Sequence, residues 1–281
     1  MTKNLMILGT SSGAGKSTVV SGLCRIFRQD GFQTVPFKSQ NMSNNSHVLP
    51  DGREMARSQA IAAYACGVEP NADMNPILLK FGPSGLEVYV QGRFSGKMDS
   101  STYRRDQSSL WQAILESYHR LADPADLVIL EGAGSPVEMN LKPGDLANLD
   151  VAARVQAPCL LVADIDRGGM FASVYGTLML MTPQERRLIR GIILNRLRGQ
   201  SDSFAQVRQS LEEITGLPVV GMLPYAAIAL EDEDSLIDAA TGEKGVQTHE
   251  AMDQEFDRLA DLFREHLDLE AIRRIIEEGV V

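Results

Sequence analysis

Short apolar runs alternate along this chain with stretches whose apolar positions recur every three or four residues. Asn4–Leu8, Gln33–Phe37, Leu127–Leu130, Cys159–Ala163, Gly191–Asn195 and Val219–Met222 read as strands. Between them, Ser17–Gln29, Arg53–Ala65, Ser108–Ala122, Ala147–Val155, Met170–Leu180 and Ser203–Thr215 carry the helical period. Leu86–Val90 reads as an extra β segment outside this alternation. Apolar strands alternating with helices predict an α/β fold, a mostly parallel sheet with helices on both faces. Ligands bind such sheets beyond the carboxyl ends of the strands. Lys38, Glu131, Asp164 and Asn195 all stand at such ends.

Past the last strand the pattern changes. Glu231–Asp234 is an acidic run, and Ala239–Gln247 is small and polar, the composition of a linker. From Glu250 onward Met252, Phe256, Leu259, Leu262, Phe263 and Leu267 recur at helical spacing, and a second short helix is expected over Leu269–Glu278. The expected organisation is a principal domain over 1–236, a linker over 237–249 and a helical tail over 250–281. The tail is expected to dock on the main domain or on a partner.

Composition adds limits. The chain has 281 residues, enough for a large buried core. A net charge of −10 argues against a surface that coats nucleic acid, while leaving room for a local basic pocket. Cys24, Cys66 and Cys159 match no metal or redox spacing and read as reduced thiols of a cytoplasmic protein. The N-terminus enters a strand directly, without the pattern of a leader. No apolar run approaches the roughly 18 residues of a membrane span. Neither nucleic acid nor membrane is an expected partner.

Candidate chemistry begins at the first strand. Leu5–Leu8 runs into Gly9-Thr10-Ser11-Ser12-Gly13-Ala14-Gly15-Lys16-Ser17 and then into a helix. Strand, glycine-rich loop and helix start form a P-loop-like cradle for a nucleotide's phosphates, with backbone N–H groups and the helix N-terminus facing the anion. ATP and Mg²⁺ are the cofactors this predicts. Thr10, Ser12, Gly13, Ala14, Gly15, Lys16, Ser17 and Thr18 are the expected cradle. Lys16 reaches the β/γ phosphates, and the Ser17 hydroxyl sits on Mg²⁺. Thr10 stands where the strict pattern wants a glycine, and Gly9 lies one residue earlier.

Glu131 follows four apolar residues, a costly place for a carboxylate unless it is paired or metal-bound. It reads as a Mg²⁺ ligand or as a structural hydrogen-bonding acid. Lys38 is either an ammonium bridging a γ-phosphate and a substrate carboxylate or a solvated strand-end lysine. Asp164 and Asp166 precede Arg167-Gly168-Gly169. They bind metal or water near the γ-phosphate, with Arg167 gripping a phosphate or carboxylate, or they form a tight turn with a salt bridge. Gln40, Asn41, Asn44 and Asn45 make an amide-rich loop, suited to a carboxamide-bearing substrate or simply polar. Arg57 joins this substrate set. Ser135, Glu138 and Asn140 follow Glu131 and belong to the same expected pocket. His47, His119, His249 and His266 form no ligand spacing, and Trp111 reads as a core or interface residue.

Several of these stretches carry a family resemblance: Gly9–Ser17, Pro36–Met42, Glu54–Gln59, Met74–Lys80, Glu131–Pro136, Asp164–Gly169 and Glu231–Leu236. Together, and in order, they resemble the N-terminal synthetase domain of the cobyric acid synthase family over about residues 1–236. The phosphate loop alone resembles only the wider dethiobiotin-synthetase-like group. The family resemblance implies ATP-dependent amidation of carboxylates on a corrin ring. A carboxylate is a poor electrophile, and phosphorylation converts it to an acyl phosphate that ammonia can attack. Lys16, Lys38, Asp164, Asp166 and Arg167 are the expected catalytic set. Glu54 resembles the second acidic metal contact of the fold group, or is an ordinary first-turn helix acid. Asn195 and Pro224 resemble adenine-recognition positions, or Asn195 is a turn residue.

That family normally carries a C-terminal glutaminase of the cysteine-histidine-glutamate type. None of the three cysteines here stands on a Gly-x-Cys-x-Gly elbow, and Asp253–Ile275 resembles the family's extreme C-terminal helices. The expectation is a synthetase domain joined to that tail without the glutaminase. It would use free ammonia or a separate glutaminase, take a corrinoid substrate and form a homodimer. Two other classes stay open: an ATPase switch of the partitioning or metallochaperone type, and a noncatalytic corrinoid- or nucleotide-binding subunit. Dethiobiotin synthesis is a further enzymatic alternative.

Overall fold

Six parallel strands form the central sheet in the computed structural model, which describes residues 2–82, 85–98, 103, 107–142, 144–199, 202–225 and 249–280. Across the sheet they are Val219–Pro224 (β12), Ile189–Leu197 (β11), Cys159–Asp164 (β10), Lys3–Gly9 (β1), Leu127–Glu131 (β9) and Thr34–Phe37 (β2). Alternate residues serve two cores. Met6, Leu8, Val128 and Leu130 face one, and Leu5, Ile7, Leu127 and Ile129 face the other. Burial on both faces is why these strands read as continuous apolar runs.

On the first face lie Ser108–Ala122 (α3), Leu149–Arg154 (α4), Met170–Leu180 (α5) and Asp202–Thr215 (α7), with Leu110, Ile114, Val151, Val174 and Leu211 in that core. Pro183–Leu188 (α6) is a short helix that the periodicity passes over. Its signal is local: Thr182 and Glu185 form a capping box, with Pro183 at the first helical position. The second face is covered by Lys16–Gln29 (α1), His249–His266 (α8) and Leu269–Glu278 (α9), with part of Arg57–Cys66 (α2).

The C-terminal helices therefore dock on the main domain. Phe256, Leu259, Phe263, Ile272 and Ile275 share a core with Val19, Leu23 and Phe27 of α1. Burying a side chain such as Phe263 contributes about 1.5–3 kcal/mol. Ion pairs rim the contact: Arg25 with Asp253 (2.9 Å) and Asp257 (2.7 Å), and Arg264 (2.7 Å) and Arg273 (2.5 Å) on Asp30. The acidic run at 231–234 and residues 237–248 of the expected linker lie outside the described residues, while His249, the last residue of that linker, opens α8.

A second sheet overlies the region after β2. It pairs Gln40–Met42 (β3) parallel to Ile77–Gly82 (β6), which continues as an antiparallel meander through Gly85–Val90 (β7) and Arg93–Met98 (β8). Ser46–Val48 (β4) and Glu54–Ala56 (β5) form a separate antiparallel hairpin. One expectation is corrected here: the helix expected from Arg53 begins at Arg57, after a strand. Leu86–Val90 is a β segment outside the main sheet, as expected, and forms the middle of the meander. Among the described residues no helix is long and apolar enough to cross a membrane.

Candidate active site

The phosphate loop springs from the centre of the sheet. β1 ends at Gly9, and α1 begins at Lys16 after Gly15 takes a left-handed conformation, φ 96°. The Lys16 side chain folds back over Gly9, where an added Cβ would lie 3.0 Å from its Cγ and 3.1 Å from its Cδ. This explains why the glycine stands at 9. The stem of the lysine crosses that position, while Thr10 donates its backbone N–H to the Val162 carbonyl at 2.9 Å. Lys16 is buried, and its ammonium donates to the carbonyls of Ser11 (3.1 Å) and Gly134 (3.2 Å). It brackets the mouth of the loop from the segment after β9.

The carboxylate of Glu131 is the hub beside this loop. Its Oε1 accepts from the Ser17 hydroxyl at 2.8 Å and the Lys38 ammonium at 2.7 Å. Its Oε2 accepts from the Gln59 amide at 3.0 Å. The Lys38 and Glu131 side chains are 1% and 0% exposed, so the pair is fully desolvated. Strand order creates the cluster: β9 lies between β1 and β2, which places the segments after all three side by side.

Glu54 is not brought to this hub. It sits on β5, where it accepts from the Ser46 hydroxyl and pairs with the Lys80 ammonium. Burial pushes its carboxyl upward, but Lys80 and Ser46 outweigh that and hold it below the ordinary carboxylate range. No hydrogen bond or ion pair joins it to Ser17 or Glu131. A Mg²⁺ ion still fits what remains. Among the described residues no group of three His, Cys, Asp or Glu gathers, so there is no all-protein cage. One carboxylate and one hydroxyl at a phosphate loop is the partial donor set Mg²⁺ uses with phosphates and waters.

The end of β11 braces the loop from behind. Asn195 donates to the Ala14 carbonyl at 3.0 Å and accepts from Arg196 N–H at 2.9 Å, so both ends of its amide are engaged with backbone. Arg196, at φ 64°, donates to the carbonyl of Gly13 and to Asp164, both at 2.8 Å. Asn195, expected at adenine recognition, also holds the backbone of the loop. Pro224 closes β12, and Tyr225 beside it carries the Arg198 guanidinium at 3.8 Å from its ring centre.

Asp164, Asp166 and Arg167 form a turn laced with ion pairs. Asp164 accepts from Asp166 N–H at 2.8 Å and pairs with Arg196 and, at 3.4 Å, with Arg167. Asp166 pairs with Arg198 at 2.5 Å. The Arg167 side chain is largely exposed and hangs beside the loop, 3.4 Å from where a Cβ of Gly13 would be.

The expected substrate residues differ in burial and in their partners. Gln40 accepts from Tyr103 at 2.6 Å. Asn44 exchanges two hydrogen bonds with the Phe81 backbone, 3.2 and 2.8 Å, and so extends the small sheet. Asn41 is buried, with its Nδ2 lacking a partner. Ser135 is buried, while Arg57, Glu138 and Asn140 are exposed. All three cysteines are free and buried, and burial pushes the thiols of Cys24 and Cys159 upward.

Sequence reasoning missed three amides. Gln59 holds Glu131. Asn75 donates to the Lys38 carbonyl at 2.8 Å. Asn148 makes two bonds to the Ala133 backbone, 3.1 and 3.0 Å, steadying the segment that presents Gly134 to Lys16. Gln59 and Asn75 lie in stretches that carry the family resemblance, but no spacing rule marks an amide as functional.

A parallel sheet with a phosphate loop after its central strand, a buried loop lysine and a Ser–Glu pair at the helix start define a P-loop nucleotide-binding protein. The chain belongs to the CobQ/CobB/MinD/ParA nucleotide binding domain family, whose model matches residues 5–236. It is 46% identical over 237 residues to cobyric acid synthase of Klebsiella pneumoniae, covering 84% of this chain and 47% of that protein. It is 45% identical over 251 residues to cobyric acid synthase of Photorhabdus laumondii, covering 89% and 49%. The chain therefore spans about half the length of the curated relatives it matches.

Proposed function

We propose that this chain is a Mg-ATP-dependent carboxylate–amine ligase that amidates corrinoid carboxylates, as its likeness to cobyric acid synthases suggests. A phosphoryl group passes from ATP to a substrate carboxylate, giving an acyl phosphate and ADP. Ammonia then attacks the acyl carbon, and phosphate leaves. Little covalent work falls to the protein, which must position the groups and neutralise charge. Lys16 serves the phosphates. Mg²⁺, held by Ser17 and Glu131, would offset the charge on the transferring group.

The observation that carries this reading is the desolvated Lys38–Glu131 pair beside the phosphate loop. A loop that only binds nucleotide has no need of a second buried lysine, and such a pair repays its desolvation poorly as a structural element. In this reading Lys38 stands where γ-phosphate and substrate carboxylate meet. Arg167, exposed beside the loop and paired with Asp164, would exchange that pair for a phosphate or carboxylate.

The nitrogen arrives as ammonia, free or from a separate glutaminase. Glutamine hydrolysis needs an activated thiolate, and buried thiols pushed upward, as at Cys24 and Cys159, support that assignment. We assign the protein to the cytoplasm, as a homodimer. The test is ATP turnover and mass spectrometry of products with a panel of corrinoid acids, comparing ammonium with glutamine. Conversion of carboxylic acids to carboxamides with ammonium alone is expected. ATP hydrolysis that ignores every corrinoid and forms no amide would reject the ligase reading in favour of an ATPase switch.

A further inference from the structure

Of two buried amides outside the expected site, Gln59 bonds the Glu131 carboxylate and Asn75 holds the backbone that carries its partners. Gln59 stands in the first turn of α2 and has no exposed surface. Its Nε2 donates to Glu131 Oε2 at 3.0 Å, while its Oε1 is buried with no hydrogen-bond partner. An orphaned buried acceptor is destabilising, and native proteins leave few of them. An apolar side chain would avoid that cost. What this amide supplies in return is the bond to Glu131.

Asn75, also fully buried, ties together the two elements that carry partners of Glu131. Its Oδ1 accepts from the N–H of Ala56, the residue before α2, at 2.9 Å. Its Nδ2 donates to the carbonyls of Lys38 (2.8 Å) and Ile77 (3.2 Å). One side chain thereby sets Lys38 and the helix bearing Gln59 in fixed relation.

We infer that Gln59, seated by Asn75, is a positioning residue that pins Glu131 through Oε2 and keeps Oε1 turned toward Ser17, Lys38 and a metal ion. The inference rests on the Mg²⁺ role proposed above for Glu131. With Oε2 tied, the carboxylate cannot rotate to offer both oxygens to Lys38, and one oxygen stays available at the loop. Partners of this kind, one bond removed from the metal, change metal affinity by about 10–100-fold when they are lost.

The test compares the full chain with its Gln59→Met variant, which keeps the side-chain length and removes both polar atoms. ATP binding is measured at equilibrium in EDTA and across a Mg²⁺ titration. Metal-free ATP affinity stays unchanged, while the Mg²⁺ concentration giving half the gain in affinity rises about tenfold or more. Glu131→Gln is measured alongside. If Glu131→Gln leaves the Mg²⁺ requirement unchanged, the metal role of Glu131 falls and this inference with it. If Glu131→Gln raises the requirement and Gln59→Met does not, the inference alone is overturned. Should Gln59→Met fail to fold, a crystal structure of the unmodified chain with ATP and Mg²⁺ decides. Gln59 still bonded to Oε2, with Oε1 on the metal, supports the assignment, and a Gln59 turned away from Glu131 overturns it.

Discussion

Replacing Lys38 by methionine keeps the length of the stem and deletes its charge. Glu131 then becomes a fully buried carboxylate held by two neutral donors, Ser17 at 2.8 Å and Gln59 at 3.0 Å. Breaking a buried ion pair from one side costs about 3–5 kcal/mol, because an uncompensated charge remains. The two surviving donors place the loss at the lower end, about 3 kcal/mol, or more than a hundredfold in the folding equilibrium. For a denaturant slope of about 3 kcal/mol per molar, the urea midpoint falls by about 1 M. Removing both charges, with Lys38→Met and Glu131→Gln together, restores most of the loss, since a neutral replacement of the whole pair is close to neutral in stability. The assay is a four-protein cycle of urea unfolding followed by circular dichroism. A Lys38→Met midpoint within roughly 0.2 M of the unmodified chain would refute the reasoning. So would a double variant no more stable than the single one.

Three further outcomes are expected. Lys16→Ala removes a charge-assisted contact to the phosphates and weakens ATP binding by roughly 1.5–3 kcal/mol, and unchanged affinity in calorimetry would reject the phosphate-loop assignment. Gly15→Ala forces φ 96° on a residue with a Cβ, which would sit 2.0 Å from Asn195 Nδ2; a soluble variant with native ATP affinity would show that the loop is not braced as described. Acid should loosen the C-terminal helices. Burial pushes Asp30 up, but Arg264 and Arg273 more than offset it, and Asp257 is lowered chiefly by its bond to Arg25. A lowered folded value means that the stabilisation is complete above the ordinary carboxylate value of 3.8 and is lost as pH falls through the lower folded values. Hydrogen exchange in α8 and α9 should therefore accelerate below about pH 4, ahead of the central strands. Equal acceleration in both regions would contradict this.

How much of this was legible in the sequence depended on what each signal reports. The central strands were readable because burial on two faces leaves continuous apolar runs, and the C-terminal helices because one buried face leaves a strong period of three and four. Of the second sheet only β7 was, as Leu86–Val90. Ile77–Leu79 is apolar on both faces, β3, β4 and β5 are three residues each, and Gly96 interrupts β8. None of these segments is long enough, or alternates cleanly enough, to show a period of two. The same limit misplaced Glu54. Reading Arg53–Ala65 as one helix put Glu54 in a first turn, whereas the strand before α2 carries it to Lys80 and leaves Gln59 as the residue that α2 presents to the hub.

Glu131 shows where the boundary falls. A carboxylate after four apolar residues must be paired, and that much is physical chemistry acting on one short segment. Which groups pair with it is a question of strand order. Lys38 and Ser17 flank Glu131 because β9 inserts between β2 and β1, although it follows both by about a hundred residues in the chain. No local pattern encodes that insertion, since it is decided by the packing of distant segments. Gln59 and Asn75 lie a further step away. Their roles appear only when the partners of Glu131 are known and the bonds of each buried amide are followed, and an orphaned Oε1 on Gln59 is then the mark of a side chain placed for what its other end holds.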